Sequence, residues 1–202
     1  MKKPLLYDLF CGAGGVTRAA LVLGWDVVGV DSKPQPEYPG RFVLADALQP
    51  PLEPVADLVW ASPPCQGYSR MRWNPSSRTT PLLIPQAREV ARALGREYVI
   101  ENIADCKDLR DPVRLCGFMF GLPLIRHRLF ETSFLLPQPT HRKHLADWVQ
   151  PCGHGRGTLE EWRRAMGLDI KSRHSLAQAV PWGYTWYVLA WARVALQGPH
   201  GL

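Results

Sequence analysis

The sequence predicts an α/β domain built on a doubly wound, mostly parallel sheet. Three observations carry that expectation. Short apolar runs rich in Val, Leu and Ile alternate with helical stretches over about the first hundred residues, joined by short links. A glycine loop, Cys11-Gly12-Ala13-Gly14-Gly15, follows the first run. Several runs end on acids, at Asp31, Asp46 and Glu101, which a parallel sheet would gather at one edge.

Taken in order, residues 5–10 read as the first strand and 16–23 as a helix stopped by Gly24. Residues 26–30 form a second strand ending in Asp31, and 42–45 a third closed by Asp46. Residues 57–61 make a buried strand that runs into Pro63-Pro64-Cys65-Gln66-Gly67. After a basic loop, residues 85–94 carry helix formers, and 98–100 make a fifth strand ending in Glu101-Asn102. Residues 112–120 read as helical and 128–134 as a strand or hairpin. Residues 135–157, rich in Pro, His, Arg and Gly, read as loop. Thr158 opens a helix with a capping-box pattern to Glu161. Residues 181–196 are the last helix, with Pro181 in its first turn. The expected organisation is a core over residues 1–134, a small irregular segment over 135–157, and helices over 158–202 that complete the core.

At 202 residues the chain holds one such domain and not two large ones. With 46% hydrophobic and 21% charged residues it is a globular composition, which excludes a disordered chain. Twenty-four Lys+Arg against 18 Asp+Glu give +6, a balance suited to a polyanionic partner. Five cysteines without framework spacing, and no signal-peptide pattern, point to free thiols in a reducing, cytoplasmic setting. The apolar stretch 180–196 is shorter than a membrane span and contains Arg193, so no membrane partner is expected.

Cys65 is not placed as a core cysteine would be. Two prolines restrict the backbone that enters it, and Gly67 lets the chain turn away, leaving a thiol at the carboxyl edge of a sheet. The glycine loop suits close approach of a ligand to backbone N–H groups, although Phe10-x-Gly12-x-Gly14 lacks the third glycine of a dinucleotide fingerprint. Asp31 stands about 20 residues on, where an acid commonly holds ribose hydroxyls. Either acid alone also fits a simple capping role. Together, beside a glycine loop, Asp31 and Asp46 favour an adenosine-type ligand.

These residues jointly resemble the C5-cytosine DNA methyltransferases. Residues 8–15, Asp-Leu-Phe-Cys-Gly-Ala-Gly-Gly, are similar to that family's cofactor motif, Pro63-Pro64-Cys65-Gln66 to its nucleophile motif, and Glu101-Asn102-Ile103 to its glutamate motif. Arg126-His127-Arg128 resembles its arginine pair, residues 158–167 its ninth motif, and Ala177-Gln178-Ala179-Val180-Pro181 its tenth, all in family order. The resemblance implies a Rossmann-like class I methyltransferase fold and S-adenosyl-L-methionine as cofactor, held by Phe10, Gly12, Gly14, Gly15, Asp31, Asp46, Pro63 and Gln178, with Trp60 a further packing candidate. It implies that Cys65 adds to C6 of a flipped-out cytosine in duplex DNA and that Glu101 holds the base's N3 and amino edge. Asn102 would fix that glutamate or the nucleophile loop, while Arg126 and Arg128 would meet phosphates and base edges. Gln66, Ser69, Arg70, Arg72 and Trp73 would contact the nucleic acid.

Three departures from the family pattern bear on substrate choice. Leu124 stands where a glutamine usually precedes the arginines, and Gln178 where asparagine is usual. The large recognition domain that the family inserts is here reduced to residues 135–157. Relaxed or very short sequence specificity is therefore expected, or recognition supplied by a specificity subunit or a second copy of the chain. His141, His144, Cys152 and His154 do not follow a standard finger spacing, and no metal is expected. The alternatives left open are the same chemistry on RNA, and a catalytically idle nucleic-acid-binding partner. A nicotinamide-dependent dehydrogenase would leave Pro-Pro-Cys unexplained.

Overall fold

The computed structural model describes residues 3–53, 55–70, 75, 79–141, 143–144, 148–152 and 155–198. In chain order its elements are β1 (Leu5–Leu9), α1 (Gly15–Val22), β2 (Asp26–Asp31), β3 (Arg41–Leu44), β4 (Ala56–Ala61) and α2 (Ile84–Leu94). They continue with β5 (Gly95–Ile103), β6 (Val113–Leu115), β7 (Arg128–Thr132), α3 (Leu159–Met166), α4 (Arg173–Gln178) and α5 (Trp182–Gln197). The strands form one seven-stranded sheet in the order β3-β2-β1-β4-β5-β7-β6. Strands β1 to β5 pair in parallel, β7 runs antiparallel to β5, and β6 antiparallel to β7.

Helices cover both faces, and the strands are apolar on both sides for that reason. Along β4, Leu58 and Trp60 face the layer built from α1, α3 and α5, where they join Ala20, Trp162, Tyr184 and Val188. Val59 and Ala61 face the opposite way, with Tyr7, Leu9, Val30 and the α2 residues Ala87 and Ala91. Helix α1 starts at Gly14, whose φ of 78° and ψ of 41° are left-handed, a conformation glycine adopts without strain. Helix α3 carries the expected capping box between Thr158 and Glu161.

The later part of the chain departs from the sequence reading. Residues 112–120 do not form an α-helix: edge strand β6 pairs with β7, and a short 3-10 helix covers only Gly117–Phe120. A three-residue strand carries too little periodicity to be read locally, and its pairing with β7 outweighs helix propensity. Strand β5 is longer than the 98–100 core of its pattern because β4 and β7 pair with it on either side. Helix α4 was not anticipated; it is six residues long, begun by Ser172, whose side chain accepts from Ser175 N. No described helix is long and apolar enough to cross a membrane.

Candidate active site

Because β1, β2, β4 and β5 are parallel, their carboxyl ends converge, and the loops leaving them enclose a cleft of about 290 Å³. The glycine-loop residues Phe10, Gly12 and Gly15 line it, with Asp31 from the end of β2. Pro63, Cys65 and Gln66 line it from the β4 side, and Glu101, Arg128 and Gln178 complete the wall. Ten of the residues singled out from the sequence thus share one cavity.

The turn after β1 is tight. Phe10 has a φ of 57°, a left-handed value that is unusual for a non-glycine residue and tends to occur where a site dictates the backbone. Asp31 braces the loop: its Oδ2 accepts from Gly12 N at 3.0 Å and its Oδ1 from Lys33 N at 3.0 Å. A carboxylate offers about four lone-pair sites, so capacity remains for ligand hydroxyls.

The turn over residues 63–67 is fixed from several sides. Asn102 Nδ2 donates to the Pro63 carbonyl at 3.0 Å, while its Oδ1 accepts from Ile103 N at 2.9 Å. The end of β5 thereby holds the start of the Pro-Pro-Cys turn. A Cβ on Gly67 would lie 2.6 Å from the Thr80 carbonyl oxygen, so only glycine lets these two segments approach. Tyr68 Oη accepts from Ile84 N at 3.1 Å and ties the same turn to the first residue of α2. Cys65 is half-buried. Burial pushes its thiol pKa up, Arg128 pulls it down, and the Glu101 charge raises it again.

Glu101 is buried and lies 2.9 Å from Arg128 Nε. The guanidinium is close but off the donor axis, and Glu101 Oε1 makes no hydrogen bond. Burial raises the pKa of Glu101, with Arg128 and then Arg126 opposing. Gln66 Oε1 is a second buried acceptor without a hydrogen bond. Two such acceptors in the cleft suit a ligand that presents N–H donors.

Other expected site residues are placed differently. Arg126 does not line the cleft. Its buried guanidinium donates to the carbonyls of Pro151, Ala177 and Ala179, tying the 135–157 segment and the end of α4 to the core. Burial, then the neighbouring Arg128 charge, lowers its pKa to about 9. Asp46 is exposed, its Oδ1 accepting from Leu48 N in a turn away from the cleft. Gly14 lies under Pro39 and Tyr38, and fully buried Trp60 packs edge-on against Phe130. Arg70 is exposed and pairs with Asp105 at 2.7 Å, and Ser69 is half-buried. Neither lines the cleft. Arg72, Trp73 and His154 lie outside the described residues.

Asp8, read from the sequence only as part of the residue 8–15 motif, also lines the cleft. It is fully buried within β1, and Thr17 Oγ1 donates to its Oδ2 at 2.7 Å. Burial raises its pKa from 3.8 to about 7, with the Asp31 charge adding and the Thr17 bond opposing. The native state therefore binds the Asp8 proton more tightly than the unfolded chain does. The stability this confers is complete below 3.8 and is lost as the pH rises toward and through about 7. Asp8→Asn is accordingly expected to raise Tm at pH 8 and to change it little at pH 4, read by thermal melts across that range. A gain independent of pH would refute the assignment.

Seven strands in this order, with the single antiparallel strand beside β5 and a ligand-sized cleft at the carboxyl edge, are the Rossmann-like architecture of class I methyltransferases. The Dnmt2 methyltransferase of S. pombe superposes with a TM-score of 0.57 at 13% identity, over 99% of this chain and 100% of that one. At that identity the likeness is one of fold. A Burkholderia thailandensis 1,6-didemethyltoxoflavin-N1-methyltransferase, solved with 1,6-didemethyltoxoflavin and S-adenosylhomocysteine, gives a TM-score of 0.44 at 16% identity, over 65% of this chain and 70% of that one. No family model matches the chain, and no curated protein does.

Proposed function

We propose that the chain transfers a methyl group from S-adenosyl-L-methionine to C5 of a cytosine in DNA, through a covalent adduct of Cys65. The observation that carries this reading is that Cys65, Glu101 and Arg128 share one cleft with the glycine loop and Asp31. The cleft suits the cofactor. A Cβ on Gly12 would meet nothing within 4 Å, so the space beside the loop is open to a ligand, and Asp31 borders it. When bound there, the cofactor supplies a sulfonium methyl.

Cytosine C5 is a poor nucleophile until C6 carries a substituent. Cys65 as thiolate adds to C6, and the electron pair moves onto the ring, making C5 enamine-like. Glu101, whose pKa burial raises against the pull of Arg128 and Arg126, donates its proton to N3 and so supports that charge; Oε1, beside Arg128 but without a hydrogen bond, accepts from the exocyclic amino group. Asn102 holds the Cys65 turn through Pro63, and Arg128 orients Glu101. After transfer C5 gives its proton to solvent, the electron pair re-forms the C5–C6 double bond and expels the Cys65 thiolate, and N3 returns its proton to Glu101. A base stacked in a duplex cannot enter such a cleft, so the cytosine is flipped out. With so short a segment at 135–157, recognition is relaxed or comes from a second chain.

The test is methyl transfer from labelled cofactor to duplex DNA and to tRNA in parallel, with the product mapped by bisulfite sequencing. Label at C5 of cytosine in DNA is the expected result. Transfer to tRNA alone would move the substrate to RNA with the chemistry unchanged. No transfer to either would overturn the enzymatic reading in favour of a nucleic-acid-binding partner.

A further inference from the structure

We propose that Cys116, His127, His141 and His144 form a tetrahedral binding site for a structural Zn2+ ion. The four ligand atoms all lie within 4.8 Å of one another. Cys116 Sγ is 3.4 Å from His144 Nε2, which is 3.2 Å from His141 Nε2, which is 3.3 Å from His127 Nε2. A tetrahedron with ordinary Zn–N and Zn–S bonds puts nitrogens about 3.4 Å apart and nitrogen and sulfur about 3.6 Å apart. The three successive spacings match the edges of such a shell, and all four ligand atoms lie within 4.8 Å of one another.

Protons alone do not account for the arrangement. The Nε2 atom of His141 faces two other Nε2 atoms, and a single N–H on it serves one neighbour only. A cation at the centre engages every lone pair at once. Thiolate and imidazole without a carboxylate favour Zn2+ over Mg2+ or Ca2+. Four protein ligands close the shell, which marks a structural ion and leaves no position for an activated water.

The fold assembles this set, and for that reason it differs from the His141, His144, Cys152 and His154 group considered from spacing. Antiparallel pairing sets Leu115 of β6 opposite Arg128 of β7, so the next residue, Cys116, meets the preceding one, His127. The 135–157 segment then brings His141 and His144 onto that edge, where the ring of Phe118 packs on His144 at 4.9 Å between centroids. Cys152 is exposed and lies outside the group. The ion would staple the short segment to the sheet and hold His127, which stands between Arg126 and Arg128. It does not depend on the methyl-transfer reading.

The test uses the full chain without an affinity tag, purified from zinc-supplemented culture. Elemental analysis is expected to find about one zinc per chain, under about a tenth of that for Cys116→Ser and His141→Ala, and the wild-type amount for Cys152→Ala. Reloaded with Co2+, the chain should show intense tetrahedral d–d bands and a thiolate charge-transfer band that Cys116→Ser loses. His141 is exposed, so His141→Ala should fold, with a Tm that a chelator no longer shifts although it lowers that of the wild type. A wild-type chain that takes up neither zinc nor cobalt, or zinc that survives both substitutions, would overturn the site. So would zinc lost on Cys152→Ala.

Discussion

Cys65→Ser is expected to lower methyl transfer by on the order of 10^4-fold while leaving the melting transition near that of the wild type. The substitution is nearly isosteric at a half-buried position, and the turn is held by Asn102, Gly67 and Tyr68 rather than by the thiol. What is lost is a nucleophile able to ionise, since a serine hydroxyl has no base in the cleft strong enough to replace thiolate chemistry. The same assignment predicts a pH dependence. Burial and the Glu101 charge keep Cys65 protonated above the ordinary thiol range, against the pull of Arg128. The thiolate fraction should therefore keep rising through the usual thiol value while the Glu101 proton needed at N3 is lost. Adduct formation with duplex DNA carrying 5-fluorocytosine should accordingly climb by less than about tenfold per pH unit and should not level off at the usual thiol value. Denaturing gels of the trapped adduct read both results. An adduct that still forms on Cys65→Ser, or transfer within tenfold of wild type, would place the nucleophile elsewhere.

The residues that were legible in the sequence share a local cause. Pro63 and Pro64 constrain their own backbone, a glycine loop marks its own turn, and Glu101 and Asn102 end an apolar run. Each signal sits within a few residues of the side chain it announces, and the parallel sheet then collects them at one edge. Arg126 shows where such signals stop. Next to Arg128 it reads as a second phosphate contact, yet its partners are carbonyls at Pro151, Ala177 and Ala179, in segments without periodicity. Asp8 looks like part of a motif, and its burial comes from packing by Thr17 and the layers around β1. Cys116 and His127 meet only through the register of β6 on β7. Long-range register is not written in any window of sequence.

The largest effect on stability is expected from a network that carried no sequence signal. Arg88 on α2 donates from Nε to Glu131 Oε1 at 2.6 Å and from a terminal nitrogen to Oε2 at 2.7 Å, a bidentate pair buried at both ends. Glu131 also accepts from Arg110 N at 2.8 Å and Tyr98 Oη at 3.3 Å, and Arg88 donates to the Asp108 carbonyl at 2.7 Å. The carboxylate thus joins α2, β5, β7 and the 108–110 loop. Glu131→Ala leaves a buried guanidinium without its counter-ion, and a loss of about 3–5 kcal/mol is expected, or roughly 10 °C in Tm. Arg88→Met with Glu131→Met removes both charges and should recover part of that loss. A loss under about 1 kcal/mol would put the pair with exposed ion pairs and refute the network. Acid sharpens the test. Burial works to raise the pKa of Glu131, but the Arg88 and Arg110 bonds outweigh it and hold the value below 4.5. Its contribution is present above 4.5 and is lost as the pH falls through the lower native value, opposite in sign to Asp8. Glu131→Gln should therefore flatten the acid limb of the stability profile, while Asp8→Asn flattens the limb between pH 4 and 7. If both substitutions moved the same limb, at least one of these carboxylates would not be in the protonation state its surroundings impose.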